Sequence, residues 1–359
     1  LPQKFIQDPN KTAELTAYAL NAAHDHSLLE KLKAQNLAYD LQADVENFGT
    51  LNALFVIDID LTMEGAKNIN QVLGACFTAL NNLKKSNVPP YLFEERQALQ
   101  KLKYNYQPRI NAFQYVMQAG RDLPDEDLSS YPQKTVLAAG YDAAAVTELL
   151  QQLTPQNGCF YVIADPKYTQ LTLDRKEKWL GAEYKTVPLT PAQIDSWQEA
   201  TDAQITLSPP NPYLPTQLKL IDNTEKQTSF TAPKKIINNA YGTIYLAQDD
   251  YFFEPKIYYQ IKVYTPSFRN SASMQVLKEL YIACLNEELQ TEIIAAHNAG
   301  LTLLVFPDQL SLNFIFDGYS EKAALLAQTV LKKIKNFQPS AALYNKHYEL
   351  ALQNCQNFP

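Results

Sequence analysis

The sequence predicts an α+β protein: two homologous two-layer αβ domains, each an antiparallel-rich sheet packed with helices, and both incomplete at the chain ends. Three observations predict it. In "TLNALFVIDIDL", residues 50–61, Phe55, Ile57 and Ile59 share one face at the two-residue period of a strand. After Thr62 the spacing becomes helical, and Ile69, Val72, Leu73, Cys76, Phe77, Leu80 and Leu83 form one apolar stripe. Both patterns then recur 257 positions later, where Phe55, Ile57, Ile59 and Asp60 fall on Leu312, Phe314, Phe316 and Asp317. Glu64, Ala66 and Gln71 fall on Glu321, Ala323 and Gln328, and the stripe residues Ile69, Leu73 and Phe77 on Leu326, Val330 and Ile334. Leu28, Glu30 and Leu32 likewise fall on Leu285, Glu287 and Leu289, so the repeat runs without a gap over about fifty residues. Periods of 2 and 3.6 held in one register point to a duplicated packing unit.

In chain order, "LLEKLKAQ" reads as a helix with Ser27 at its N-cap. The strand of residues 50–61 leads into a helix opened by Thr62, with Glu64 near its positive end. Pro89 and Pro90 end that helix and open "YLFEERQALQKLKYN", which runs towards Pro108. "DAAAVTELLQQL", capped by Asp142, and a strand "GCFYVIAD" (158–165) close the first unit. Four prolines between 209 and 215 mark a stiff, extended connection. The expected domains are therefore 1–200 and 232–359, with a Pro-rich linker at 201–231. In the second unit, strands "GTIYLAQD" and "KIYYQIKVYT" flank "DYFFEP". A long helix from Ser271 to Ala299 precedes a strand pair around Leu304 and Leu312.

The bulk chemistry excludes several functions. A net charge of −7 argues against nucleic acid or an anionic membrane as partner. The run "KLKYNYQPR", Lys101 to Arg109, reads as the solvated face and end of a helix. Cys76, Cys159, Cys284 and Cys355 are far apart, with no zinc-ribbon spacing. No apolar run reaches the length that spans a bilayer, and no signal peptide is visible. No Gly-rich phosphate loop or GxSxG occurs. Gln248-Asp249-Asp250 before Tyr251-Phe252-Phe253 reads as a polar turn, and Trp179 and Trp197 as residues buried at a domain seam.

His24-Asp25-His26 is the one histidine cluster. Hydrolytic zinc needs two imidazoles four residues apart on a helix face with a Glu beside them, and no HxxEH or HExxH is present. His24 and His26, two apart, point to different sides of a helix, so the segment reads as a hydrated helix entry. His297 and His347 belong to the other domain.

Four segments in order, "YDAAAVTELLQQLTPQNGCFYVIADP", "EKWLGAEYKTVPLTPAQIDSW", "LSPPNPYLPTQLKLI" and "YLAQDDYFFEPKIYYQIKV", resemble the middle of the pitrilysin/insulinase family of zinc metallopeptidases. "SLLEKL…FVIDIDLTMEG" resembles that family's second domain, and Asn-Pro-Tyr-x-Pro is most similar to its bacterial branch. The resemblance implies a chain of four homologous α+β domains forming two bowls that close on a peptide. Zinc would bind in the first domain, upstream of Leu1, so no metal is expected in this chain. Residues 1 to about 200 would be the second domain without its opening strands, and those from about 230 the first part of the third. In the third-domain helix, Met274, Leu277, Leu280 and Ile282 stand where ligands would be needed, with Glu279, Glu287 and Glu288 on a solvated side.

The resemblance further implies that a second-domain sheet edge, here Leu41, Gln42, Ala43 and Asp44, holds the amino end of a peptide or unfolded polypeptide by β-augmentation. The glycines expected there are absent, so either the side-chain preference differs or the anchor is lost. Asp44 and Glu46 would favour a positive amino end. The leading expectation is a non-catalytic middle segment that shapes the chamber and hinge of a zinc endopeptidase and packs with the parent's remaining domains. The alternative is a structural or peptide-binding homologue whose parent lacks the zinc motif. A chain starting at Leu1 with its last helix still running near Pro359 looks like an excised piece, whose open sheet edge recruits a second copy or a companion strand. The bacterial branch carries by analogy a periplasmic or cell-envelope address.

Overall fold

A computed structural model describes residues 1–21, 24–49, 51–107, 110–124, 126–220, 232–249, 253–265 and 271–356. The chain divides into two compact units, Leu1–Asn211 and Pro212–Pro359.

The first unit opens with helices α1 (Thr12–Leu20) and α2 (Leu28–Ala34). An antiparallel hairpin follows, β1 (Ala38–Phe48) and β2 (Asn52–Leu61), in the register Ala43 opposite Ile57. Thr62 caps the short α3 (Met63–Lys67) by accepting from the Gly65 amide at 2.9 Å. Gly65 is obligatory: a Cβ there would lie 1.9 Å from the Leu37 carbonyl oxygen. Next come α4 (Ile69–Ser86), α5 (Pro90–Asn105) and α6 (Ala112–Asp122). They are followed by α7 (Gln133–Val136), α8 (Ala143–Gln152) and α9 (Pro166–Thr169). A two-residue ladder, β3 (Arg175–Lys176) with β4 (Glu183–Tyr184), precedes α10 (Pro191–Glu199). Asp142 caps α8 through the Ala144 and Ala145 amides, as its position in the sequence leads one to expect.

The stripe of α4 is buried at Val72, Cys76, Phe77, Leu80 and Leu83. Trp197 of α10 packs against it, with its ring stacked on Phe77 at 5.7 Å and edge-on to Phe160 at 6.0 Å. Trp197 is thus core of the first unit rather than a seam residue, whereas Trp179 is 82% exposed. Residues 158–165 form no ladder with any described residue, and Tyr161 and Ile163 are exposed. Their apolar alternation lacks the hydrogen-bonded neighbour that a strand requires.

The second unit contains a hairpin of β5 (Lys234–Asn239) and β6 (Gly242–Leu246), then β7 (Lys256–Tyr264). Of "DYFFEP", Asp250, Tyr251 and Phe252 lie outside the described residues. The long helix expected from 271 to 299 is two: α11 (Ala272–Glu288) and α12 (Gln290–Asn298), broken at Leu289, whose side chain is fully buried. Strands β8 (Leu301–Pro307) and β9 (Ser311–Tyr319) follow, then α13 (Ala323–Asn336) and α14 (Ala341–Gln356). The sheet has the order β7-β9-β8, all antiparallel. Phe314, Phe316, Leu301, Leu285, Leu326 and Val330 fill its core.

The repeat is real in order, helix–strand–strand–helix in each unit, but it is not gapless. Ile57 faces Ala43, while Phe314, 257 positions after Ile57, faces Val305, 262 positions after Ala43. Unit one's hairpin is therefore five residues longer, and upstream of it the matching offset is 262. Helix α2 is matched by α12, so Leu28, Glu30 and Leu32 do not correspond to Leu285, Glu287 and Leu289. Those three leucine and glutamate identities arise because any two amphipathic helices share a spacing.

Candidate peptide-binding edge

The four residues Leu41, Gln42, Ala43 and Asp44 lie together in the middle of β1. Leu41 and Ala43 turn inward and are buried, while Gln42 and Asp44 face solvent, as strand alternation requires. The edge at this point is already engaged. The Ala43 amide donates to Asn21 Oδ1 at 2.6 Å, and Asn21 Nδ2 donates to the Ala43 carbonyl at 2.7 Å. One carboxamide thus takes the place of a neighbouring strand at a single residue. Two positions on, the Val45 amide is met by the Asp44 carboxylate at 2.7 Å. A peptide adding to β1 here has to displace Asn21, an exchange of like hydrogen bonds rather than the filling of an empty edge. The sequence offered no signal for the clasp, because Asn21 looks like any residue at a helix end.

His24-Asp25-His26 forms the turn into α2. The Ser27 amide donates to the His24 carbonyl at 2.9 Å, and Ser27 caps α2 by accepting from the Glu30 amide. His24 Nδ1 accepts from the His26 amide at 3.3 Å, and the His26 carbonyl accepts from the Thr206 amide at 3.0 Å. Burial pushes the His24 imidazole below its ordinary pKa. His24 lines an open, mostly apolar groove of about 320 Å³ together with Leu20, Leu28, Leu83 and Ile205. Among the described residues no group of three His, Cys, Asp or Glu side chains is placed to hold a metal ion.

In the second unit, α11 buries Leu280, Ile282, Cys284 and Leu285, while Leu277 is about half exposed and Met274 partly buried. Lys278, also buried, spends its ammonium on the Asp308 carbonyl at 2.7 Å. These side chains do not fit a zinc site. Glu287 is not on a solvated face, as the sequence suggested: it meets Lys346 at 2.9 Å and His347 Nε2 at 2.7 Å, both from α14. Burial pushes its carboxyl up, but those two hydrogen bonds and charges outweigh it and hold the pKa at about 2.

The proline-rich stretch is pinned at both ends by carboxylates. In the first unit, buried Glu95 accepts from the Asn211 amide at 2.8 Å, and Tyr91 OH donates to the Ser208 carbonyl. Asn82 Nδ2 holds the Asp202 and Ile205 carbonyls at 2.7 and 2.9 Å. In the second unit, Glu321 accepts from the Thr216 and Gln217 amides at 2.8 and 2.6 Å, and Tyr213 is buried in the core. Residues 221–231 of the expected linker lie outside the described residues.

A family model for the middle or third domain of peptidase M16 matches residues 104–359. The chain belongs to the M16 peptidase family. It is similar to insulin-degrading enzyme-like 1, peroxisomal, of Arabidopsis thaliana, at 25% identity over 92% of this chain and 34% of the relative. Nardilysin of Mus musculus is 25% identical over 81% of this chain and 25% of its own length. The putative zinc protease mug138 of Schizosaccharomyces pombe is 24% identical over 94% of this chain and 35% of its own. The crystal structure of pitrilysin shares the fold, with a TM-score of 0.72 at 23% identity, covering 97% of this chain and 37% of pitrilysin. The chain thus spans between a quarter and a little over a third of the length of these relatives.

Proposed function

We propose that this chain is the non-catalytic middle portion of an M16 zinc metalloendopeptidase, walling the peptide chamber and carrying its hinge. The observation that carries the reading is the match to the family's middle-domain model over residues 104–359. The hydrocarbon filling of α11 supports it, because a helix packed with Leu280, Ile282 and Leu285 has no room for a ligand set. Zinc and the general base belong in the parent's first domain, and this chain supplies surface and leverage. The holding of Asn211 by Glu95 and of Thr216 and Gln217 by Glu321 supports a hinge there, since a short stretch between two fixed ends concentrates any rotation.

Within this reading, Leu41, Gln42, Ala43 and Asp44 receive the amino end of a peptide once Asn21 releases Ala43, with Asp44 and Glu46 attracting its charge. The test uses the parent enzyme on a short cationic peptide. Replacing Asp44 and Glu46 by Ala raises KM severalfold with kcat little changed, whereas Asn21→Ala, by vacating the edge, lowers KM. Unchanged KM in both variants removes the edge from the account. A parent gene with no HxxEH upstream of Leu1, or a parent inert towards peptides with zinc supplied, favours the metal-free homologue instead.

A further inference from the structure

The second unit has a sheet edge of its own at β8, and it differs in kind from that of β1. The backbone direction of β8 is fixed at both ends. The Asp308 amide donates to the Ser311 carbonyl at 2.8 Å, and the Tyr319 amide to the Gly300 carbonyl at 3.2 Å. Antiparallel pairing alternates the direction of the main-chain groups. Thr302, Leu304 and Phe306 therefore bond to β9, while Leu301, Leu303, Val305 and Pro307 turn away from it. In the first unit the same rule turns Ala43 and its partner Ile57 towards opposite edges, and Phe55 and Ile59 with Ile57. Among the described residues β8 pairs with β9 alone, and Leu303 has no further backbone partner.

A single side chain guards this edge. Asn286 Nδ2 of α11 donates to the Val305 carbonyl at 3.4 Å. The offset of 262 that relates β1 to β8 carries Ala43 onto Val305 and Asn21 onto Ala283, and Asn286 lies about one helical turn beyond Ala283. The two asparagines thus guard the same strand position from corresponding helices, but unequally. Asn21 engages both the amide and the carbonyl of Ala43, at 2.6 and 2.7 Å, whereas Asn286 makes one long bond to a carbonyl. Charge separates the edges further. The outer face of the first hairpin is acidic, with Asp40, Asp44 and Glu46 on β1 and Asp58 and Asp60 on β2. In contrast β8, "LTLLVFP", has no ionisable residue, and its outer face shows Leu304 and Phe306, 51% and 40% exposed. Edge strands are ordinarily defended by charge, proline or a bulge, and β8 has only Pro307 at its end. An edge of this kind selects an extended, uncharged segment. Its main-chain groups pair with Leu303 and Val305, and its apolar side chains, at alternate positions, lie beside Leu304 and Phe306. A second copy is the poorer occupant. Two seven-residue strands meeting edge to edge fall short of the roughly 1,200 Å² that a stable dimer buries.

We propose that the outer edge of β8 is a second polypeptide-binding edge, which takes an uncharged segment, apolar at alternate residues, once Asn286 swings off the Val305 carbonyl. Given the reading of this chain as a peptide-binding wall, the two edges divide the work by chemistry. Cationic amino ends go to β1, and apolar interior stretches go to β8.

The probe is a seven-residue peptide of alternating valine and threonine, blocked at both ends so that it offers β1 no charged amino group. Added to the 359-residue chain, it slows hydrogen exchange of the Leu303 and Val305 amides about tenfold and leaves the β1 amides unchanged. Leu304→Lys, at an exposed position outside the core, weakens binding about tenfold, and Asn286→Ala strengthens it about threefold. Exchange at Leu303 and Val305 that stays unchanged up to about 1 mM peptide overturns the proposal. So does equal binding by the Leu304→Lys variant, which places the peptide elsewhere. Protection that rises with protein concentration in the absence of peptide assigns the edge to a second copy and overturns it as well. Peptide cleavage by the parent plays no part in this readout, so a failure here and a failure of the functional reading are told apart.

Discussion

Two copies of one hairpin stand in different states of completion. The β8–β9 hairpin has strands on both sides of β9 and buries Phe314 and Phe316 to 1% and 0% exposure. The β1–β2 hairpin has the same order and the same alternation, yet Phe55, Ile57 and Ile59 are only partly buried. Its free edges are managed one residue at a time, by the Asn21 carboxamide on β1 and the Leu1 ammonium on β2. Side-chain pattern alone does not complete a sheet. A third strand closes the hydrogen-bond ladder and covers the apolar face in one step, and single-residue clasps do neither.

This contrast predicts unequal costs for matched truncations. Phe314→Ala removes a fully buried ring and costs about 3–5 kcal/mol, whereas Ile57→Ala at the matching row costs about 1–2. Chemical denaturation of both variants checks it, and equal losses would erase the distinction between the two sheets. The next effect lies in the ion-paired cluster that ties α14 to α11. Glu287, held at about 2 against an ordinary value of 4.5, contributes stability that is fully present above pH 4.5 and is lost as the pH falls towards 2. Glu287→Gln therefore costs about 3 kcal/mol at neutral pH, and the gap to the unaltered chain closes as the solution is acidified to pH 2. A pH-independent gap would mean that packing, not charge, sets the effect.

Smaller still is the clasp on β1. Asn21→Ala leaves the Ala43 amide and carbonyl to solvent and costs about 1–2 kcal/mol, read as a shift in unfolding midpoint. Smallest is Asp58→Asn, an exposed position whose replacement changes stability by less than about 0.5 kcal/mol in the 359-residue chain. If it stabilises by more, repulsion across the acidic face is already being felt without a further strand.

Much of this architecture was legible in the residues. The stripe of α4 and the caps Ser27, Thr62 and Asp142 are local patterns whose physics acts within a few residues, and each reappears in the structure, as do the strands β2 and β9, although β9 is buried on both faces from Ser311 to Phe314. What sequence reasoning missed depends on distant partners. Residues 158–165 have strand chemistry but no neighbouring strand among the described residues, and Trp197 sits between Phe77 and Phe160 because α10 folds back on α4. The five-residue difference between the hairpins was hidden because apolar positions in α2 and α11 share helical spacing. Leu289 breaks a helix without Gly or Pro, its side chain being drawn into the core. Of the candidate site, the place on β1 was readable, but its occupation by Asn21 was not, since that contact spans 22 positions and leaves no local mark.

The central claim is that β2 is a strand with no second neighbour among the described residues, and residue-resolved amide exchange on the 359-residue chain tests it most directly. The account predicts slow exchange throughout β9, but alternation in β2, with Val56, Asp58 and Asp60 protected by β1 and Phe55, Ile57 and Ile59 exchanging at rates close to those of loops. Uniform protection along β2 in dilute solution would contradict it.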